Sequence, residues 1–202
     1  MRKRLALFGS GRGSNGEAIF NAIEAGHIEG EIVLIISDRP NVGIVEKGCA
    51  WHIPVHVVDP TNYGNGEAWT QAMLDILQEY EVDGILLAGY MRILLPRFVQ
   101  AYRGKILNVH PSLLPAFKGM QAQKQALLHG VKYTGCTVHF VDEGMDTGPI
   151  IAQAVVPVYE DDTVDTLSKR ILHEEHRIYP EAVRLFCEDA LEIVEFRVFI
   201  RK

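Results

Sequence analysis

Residues 4–37 read RLALFGSGRGSNGEAIFNAIEAGHIEGEIVLIIS, and this stretch determines the fold class that the sequence predicts. Residues 4–8 form a short apolar run that is typical of a strand. Residues 14–26 place apolar side chains at helical spacing and end in Gly26, a common helix stop. Residues 31–37 are nearly all apolar and indicate a buried second strand. The stretch is therefore a β-α-β unit, which predicts two parallel strands joined by a helix.

The same alternation continues along the chain. We predict helices over 43–51 and 67–80, a short helix near Arg97, and strands over 55–58, 84–88 and 105–109. This pattern predicts a Rossmann-like, doubly wound α/β fold with a mostly parallel sheet covered by helices on both faces.

The pattern changes after Gln121. A helix over 121–129 precedes two long strands, 134–141 and 149–158, which we expect to form an antiparallel extension of the sheet. A long helix over 163–188 follows, and residues 191–200 alternate like a single edge strand. Because no linker or shift in composition interrupts the chain, residues 1–202 are predicted to form one domain.

Composition excludes several classes of function. The formal net charge of −6 argues against nucleic-acid and anionic-membrane partners, since both favour clustered Lys and Arg. No apolar run is long enough for a signal peptide or a membrane span. Three widely spaced cysteines fit a reducing compartment better than a disulfide framework. We therefore expect a soluble, cytoplasmic protein.

The loop FGSGRGSN, residues 8–15, joins the first strand to the first helix. Glycines allow a tight turn and a close approach to a ligand, and the first amides of a helix bind anions. A phosphate is the natural ligand, although the spacing is not that of a dinucleotide-binding G-x-G-x-x-G loop. The alternative is a plain glycine-rich turn.

Asn108 and His110 end a buried strand in the stretch GKILNVHPSLLPAFKG, and Pro111 follows directly. Residues two apart in a strand point to the same side, so the amide and the imidazole are expected to face one cleft. Asp142, Glu143 and Asp146 follow a later strand. A carboxylate from this group beside His110 would complete an acid–base pair. The alternatives are a hydrogen-bonded strand-end histidine and a solvated acidic turn.

Two further features allow more than one interpretation. Arg92 is the single charge in AGYMRILLP; its guanidinium either extends along the surface or binds a carboxylate and shapes a pocket. His173 and His176 lie three residues apart on the last predicted helix. A metal site there lacks an evident third ligand, so an exposed polar face is the simpler interpretation.

Four motifs, GSGRGSN, LAGYMRIL, NVHPSLLPAFKG and GCTVHFVDEGMDTGPIIAQ, together resemble the folate-dependent phosphoribosylglycinamide formyltransferases. The resemblance extends over nearly the whole chain. Asn-x-His with S-L-L-P, and the downstream D-x-G-P-I-I, is specific for the wider family of 10-formyltetrahydrofolate formyltransferases and hydrolases. It implies the formyltransferase fold, with residues 1–100 as the nucleotide-binding half and 101–202 as the folate-binding and catalytic half.

The resemblance also implies roles for individual residues. The catalytic residues would be Asn108, His110 and Asp146, with Thr137 nearby. Glycinamide ribonucleotide would be bound by Gly11, Arg12, Gly13, Ser14, Asn15, Gly89, Met91, Pro111 and Glu175, of which Glu175 takes the ribose hydroxyls. The folate would be bound by Leu87, Arg92, Ile93, Leu94, Val99, Val141, Asp142, Glu143, Gly144 and Asp146.

The implied reaction moves a formyl group from 10-formyltetrahydrofolate, the co-substrate, to the amine of glycinamide ribonucleotide. It implies no metal ion, no nucleic acid, no membrane, and a monomer or homodimer. The sequence departs from the pattern at Gln121, where many members have histidine, and at Gly16, where a larger apolar residue is common. The rival interpretations are a formyltetrahydrofolate hydrolase, a methionyl-tRNA formyltransferase, and a non-catalytic nucleotide-binding module.

Overall fold

The computed structural model describes residues 2–201. The strands are β1 (Lys3–Phe8), β2 (Gly30–Ser37), β3 (Val55–Val57), β4 (Gly84–Leu87), β5 (Ile106–His110), β6 (Tyr133–Phe140), β7 (Ile150–Pro157), β8 (Leu191–Val194) and β9 (Arg197–Ile200). The helices are α1 (Ser14–Glu24), α2 (Gly43–Ala50), α3 (Gly66–Glu79), α4 (Pro96–Ala101), α5 (Ala122–Leu128) and α6 (Val164–Cys187), with a short 3-10 helix at Pro60–Asn62.

All nine strands form one sheet in the order β3-β2-β1-β4-β5-β6-β7-β9-β8. The first five strands are parallel, whereas β6 pairs antiparallel with both β5 and β7. The predicted mostly parallel sheet with an antiparallel extension is therefore confirmed. The strand order reverses between β1 and β4, and in open α/β sheets ligands bind beyond the carboxyl ends of the strands at such a switch point.

Helices cover both faces of the sheet. On one face the core includes Ile19 of α1, Ile44 of α2 and Ile171 of α6, all fully buried. On the other face it includes Met73 of α3 and Phe98 of α4. The doubly wound arrangement explains why strands β1, β2 and β4 are apolar on both sides.

Helix α6 is held at its start and in its second half. Thr163 begins the helix with a capping box, since its hydroxyl accepts from the Thr166 amide and the Thr166 hydroxyl accepts from the Thr163 amide. Farther along, the Tyr179 hydroxyl lies 3.0 Å from the Leu87 carbonyl oxygen and 2.9 Å from that of Leu107. The helix is thereby fixed against the end of β4 and the first part of β5.

The prediction of one edge strand over 191–200 is wrong. Residues Leu191–Val194 and Arg197–Ile200 form an antiparallel hairpin, and the chain reverses at Glu195, whose φ is 55°. An alternating pattern fits one long strand or two short ones equally well. Glutamate is not typical of hairpin turns, so Glu195 does not predict one. The hairpin joins the rest of the sheet through the pair Ile150 and Arg197.

No helix within residues 2–201 is long and apolar enough to cross a membrane. Cys49, Cys136 and Cys187 are all free thiols.

Candidate active site

The loop after β1 turns sharply at Gly13. This residue has φ of 71°, and a Cβ there would lie 2.7 Å from Ile44 Cδ1, so only glycine fits. Gly13 also begins α1 without any side-chain cap. The amides of the first turn of α1 are therefore left for an anion.

The loop contacts the segment after β4. The Ser10 amide donates to the Gly89 carbonyl at 3.1 Å, and the Met91 amide donates to the Ser10 hydroxyl at 2.8 Å. The structure thus brings Gly11, Arg12, Gly13, Ser14 and Asn15 beside Gly89 and Met91. These residues are far apart in sequence but were all predicted to bind the same substrate.

Glu175 on α6 completes this group. Its carboxylate accepts from the Asn15 amide nitrogen at 2.7 Å, and both side chains are buried. Burial raises the pKa of Glu175, an effect that the Asn15 hydrogen bond only partly offsets. Pro111, the remaining predicted contact of this substrate, follows His110 at the end of β5.

Asn108 lies opposite His139 in the β5–β6 ladder. The Asn108 Nδ2 atom is 3.2 Å from His139 Nε2, and His139 Nδ1 is 2.8 Å from the Phe140 carbonyl oxygen. A carbonyl only accepts, so Nδ1 carries the hydrogen and Nε2 accepts from Asn108. Burial lowers the pKa of His139, which agrees with a neutral ring. His139 therefore orients the Asn108 amide.

His110 and Asp146 meet beside this pair. His110 Nδ1 is 3.4 Å from Asp146 Oδ2, and His139 Nε2 is 3.9 Å from Asp146 Oδ1. The Gly119 amide donates to Asp146 Oδ2 at 2.7 Å, and the Phe117 carbonyl accepts from His110 Nε2 at 2.8 Å. The three residues predicted to be catalytic are thus gathered at one place.

Thr137 supports the loop after His110, whereas Gln121 is exposed. The Thr137 hydroxyl donates to the Ser112 carbonyl at 2.7 Å and accepts from the Leu114 amide at 3.0 Å, so it holds the loop after His110. Gln121 lies exposed before α5 with φ of 58°, and its side chain does not cap the helix.

A cleft of about 160 Å³ opens next to Asn108. All ten residues predicted to bind folate line it, namely Leu87, Arg92, Ile93, Leu94, Val99, Val141, Asp142, Glu143, Gly144 and Asp146. Tyr90, His139 and Met145 line it as well, whereas His110 is buried and is not among the lining residues. The cleft is apolar along the β4 side and acidic along the loop that precedes β7.

Tyr90, His139 and Asp38 are residues of the site that were not predicted from the sequence. His139 is identifiable only from the β5–β6 register, which places it opposite Asn108. Asp38 lies at the carboxyl end of β2 and binds Arg92, with Arg92 Nε 2.7 Å from Asp38 Oδ2. An acidic residue directly after the buried strand β2 was the available signal. Arg92 thus contacts a carboxylate of the chain itself, that of Asp38, and its role in a ligand pocket stays a prediction.

The histidines of α6 do not gather further ligands. His173 is exposed and lies 3.3 Å from Glu174, and no group of at least three His, Cys, Asp or Glu side chains suited to a metal occurs within residues 2–201.

Comparison with known proteins gives consistent matches. Residues 3–183 match a family model described as formyl transferase. The phosphoribosylglycinamide formyltransferase of Bacillus subtilis (strain 168) is 46% identical over 182 residues, which cover 90% of this chain and 93% of the relative. The crystal structure of glycinamide ribonucleotide transformylase 1 from Symbiobacterium toebii has a TM-score of 0.97 and 48% identity, covering 100% of this chain and 95% of that one. A formyltetrahydrofolate deformylase from Pseudomonas syringae pv. tomato has a TM-score of 0.92 at 26% identity; the match covers 100% of this chain and 67% of the deformylase.

Proposed function

The chain belongs to the formyl transferase family, and from this premise we propose that Asn108, His110 and Asp146 carry out its reaction. The activity is that of a phosphoribosylglycinamide formyltransferase: a formyl group passes from 10-formyltetrahydrofolate to the amine of glycinamide ribonucleotide in purine biosynthesis. The observation that carries the residue assignment is the convergence of these three side chains beside the cleft, one strand away from the glycine-rich loop.

The ribonucleotide is proposed to bind at the switch point between β1 and β4. Its phosphate would accept from the amides of residues 11–15, where the helix dipole of α1 also favours an anion. The ribose hydroxyls would reach Glu175, and the segment from Gly89 to Met91 would hold the glycinamide chain. Pro111 places the amine near His110.

The folate is proposed to occupy the cleft beside Asn108. Leu87, Leu94 and Val99 are buried apolar residues that suit the face of a fused ring. The loop from Val141 to Asp146 supplies backbone groups for its polar edge. The formyl carbon would then lie at the boundary of the two substrate sites.

Attack by the amine creates a tetrahedral carbon with a negatively charged oxygen. One hydrogen of Asn108 Nδ2 is directed to His139, so the other is free to donate to this oxygen. His110 Nε2 is committed to the Phe117 carbonyl. Without substrate, the hydrogen of Nδ1 has only the long 3.4 Å contact to Asp146 Oδ2, so we assign the second donor to Nδ1. Because both ring nitrogens face acceptors, the doubly protonated ring satisfies this arrangement in full.

Asp146 is proposed to assist transfer of the proton from the attacking amine to N10 of the folate. Its carboxylate faces both His110 and the cleft, so it stabilises the imidazolium and orders a water molecule next to the attacking amine. The proton leaves the amine through this water and reaches N10 of the folate as the C–N bond breaks. The products are the formylated ribonucleotide and tetrahydrofolate.

Several narrower statements belong to the same proposal. We propose that the reaction uses no metal ion, that neither nucleic acid nor membrane is a partner, that the protein is a monomer or homodimer, and that it is cytoplasmic. We also propose that residues 1–202 form a single domain, in which 1–100 bind the nucleotide and 101–202 bind folate and carry the catalytic residues.

The nearest rival is hydrolysis of the same folate, with water as acceptor. The glycine-rich loop and the buried Asn15–Glu175 pair support a phosphorylated acceptor, because a hydrolase needs no site for one. A methionyl-tRNA acceptor is disfavoured by the net charge of −6.

The test is to incubate the pure protein with 10-formyltetrahydrofolate, with and without glycinamide ribonucleotide, and to locate the formyl group by mass spectrometry. We expect formylated ribonucleotide only when both substrates are present, and the same rate with a chelator. Free formate at an equal rate without the ribonucleotide would instead identify a hydrolase. Asp146→Asn should lower the rate strongly in the same assay, whereas His129→Ala, at an exposed position after α5, serves as the control.

A further inference from the structure

Asp38 is a buried carboxylate that the reaction itself does not use. It follows β2 directly, and its side chain is fully buried. A buried charge is costly unless it is paired. Its Oδ2 accepts from Arg92 Nε at 2.7 Å and lies 3.3 Å from a terminal nitrogen of Arg39. Among residues 2–201, its Oδ1 has no hydrogen-bond partner.

The neighbours of Asp38 belong to both substrate sites. Ser10 precedes the loop that is proposed to bind phosphate, and its hydroxyl accepts from the amide of Met91, the residue before Arg92. The same loop begins beside the end of β2, where the Gly9 amide donates to the Ile36 carbonyl at 3.0 Å, two residues before Asp38. Burial raises the pKa of Asp38, but Ser10, Arg92 and Arg39 together lower this pKa by more than burial raises it. The net shift is therefore downward. The carboxylate is thus held in its charged form between Ser10 and Arg92.

Arg92 lines the folate cleft, and its side chain is 42% exposed. The bond from Nε to Asp38 fixes one side of the guanidinium and leaves the two terminal nitrogens for a ligand. A long side chain with this exposure would otherwise move freely in solvent. Arg39, the other guanidinium beside Asp38, cannot take the place of Arg92 at the folate site. It follows Asp38 in the chain and does not line the cleft.

We propose that Asp38 is a positioning residue that joins the two substrate sites, holding Arg92 against the folate cleft and fixing Ser10 at the start of the phosphate loop. The inference rests on the proposed function for the identity of the two sites. It makes the folate site depend on a residue that touches no substrate. The reacting groups Asn108, His110 and Asp146 lie elsewhere, on β5 and before β7.

Asp38→Asn tests this directly, because asparagine keeps the shape and loses the charge. We expect the KM for 10-formyltetrahydrofolate to rise about tenfold and the KM for the ribonucleotide about threefold, with kcat within about threefold of the unmodified protein. Removing a structural support alone would lower kcat through a smaller active fraction and leave both KM values unchanged. KM values within twofold of the original would overturn the proposal.

The matched control is Asp162→Asn. Asp162 is also a buried carboxylate, 3% exposed, and it is paired with Arg170 before α6. This variant should lower the melting temperature and change neither KM. A rise in the folate KM equal to that of Asp38→Asn would mean that the effect is general destabilisation, and would overturn the proposal.

A second comparison shows whether Asp38 acts through Arg92. The folate KM of Asp38→Asn/Arg92→Gln should equal that of Arg92→Gln alone, whereas a further rise would contradict this route. The double variant leaves no unpaired buried charge, so it replaces Asp38→Asn if that variant fails to fold. If the unmodified protein formylates no ribonucleotide, the proposed function fails. Equilibrium binding of tetrahydrofolate then decides the Asp38 inference, with a tenfold weaker Kd in Asp38→Asn as the supporting result.

Discussion

Two regions at the same edge of the sheet are built in opposite ways: the loop proposed to bind phosphate, and the cluster of Asn108, His110, His139 and Asp146 proposed to be the catalytic centre. The loop consists of consecutive residues, 9–15, and presents backbone amides. The cluster consists of side chains from β5, β6 and the segments after them, and it exists only because β6 runs antiparallel beside β5. The loop depends on one conformation at Gly13, whereas the cluster depends on strand register.

This difference teaches where each site is sensitive to substitution. A site built from backbone amides tolerates substitutions that keep the conformation of the turn. It loses binding when a new Cβ clashes with neighbouring atoms. A side-chain site fails when one donor is lost or turned. The following predictions separate the two behaviours.

The largest effect is expected in the cluster. Asn108→Ala and His110→Ala should each lower kcat by about 10²–10³, because each removes one donor to the developing oxyanion. Initial rates of formylated ribonucleotide at saturating substrates give the value. Losses below tenfold at both positions would mean that the cluster is not the catalytic centre.

His139→Phe should lower kcat by roughly 10–100-fold, since the Asn108 amide loses the acceptor that orients it and small misplacements are costly. The KM values should change little. In a double variant with Asn108→Ala the two losses should not multiply. Independent effects of the two substitutions would show that His139 does not act through Asn108.

Gly13→Ala tests the loop. The new Cβ would approach Ile44 at 2.7 Å in a left-handed conformation, so we expect a loss of about 2–4 kcal/mol in unfolding free energy and a higher KM for the ribonucleotide. Gly26→Ala is the control. It has φ of 74° with no heavy atom within 4 Å, and should cost about 1 kcal/mol with an unchanged KM. Equal losses in urea unfolding would contradict the contact argument.

The smallest effect is a pH dependence at Glu175. Burial raises its pKa above the ordinary value of 4.5, so the folded chain binds more protons than the unfolded one between these two values. The stability difference between the protein and Glu175→Gln should therefore be largest below pH 4.5 and decline as pH rises to the raised pKa. Urea unfolding across this range measures it, and Glu29→Gln, at an exposed position, is the control. Parallel pH curves for the protein and Glu175→Gln would refute the assignment.

The parts of the molecule that follow from local pattern were predictable. The β-α-β alternation gave β1 to β5 and their helices, because a parallel sheet buries both faces of each strand. The motifs indicated Asn108, His110 and Asp146, which the structure brings together, while their catalytic roles stay a prediction. His139 and Asp38 were missed because their importance comes from pairing with Asn108 and Arg92, which are 31 and 54 positions away in the chain. The hairpin after α6 was missed because its turn lies at Glu195, which carries no turn signal.

Tyr179 sets the position of α6 along its own axis. Its hydroxyl lies within hydrogen-bond distance of two carbonyl oxygens, those of Leu87 on β4 and Leu107 on β5. The single hydroxyl hydrogen is shared between these two acceptors, which ties α6 to both strands. Glu175 lies four residues earlier, on the same side of the helix and about 6 Å nearer its start. Although it touches neither substrate, the phenol therefore determines how far the Glu175 carboxylate extends toward Asn15.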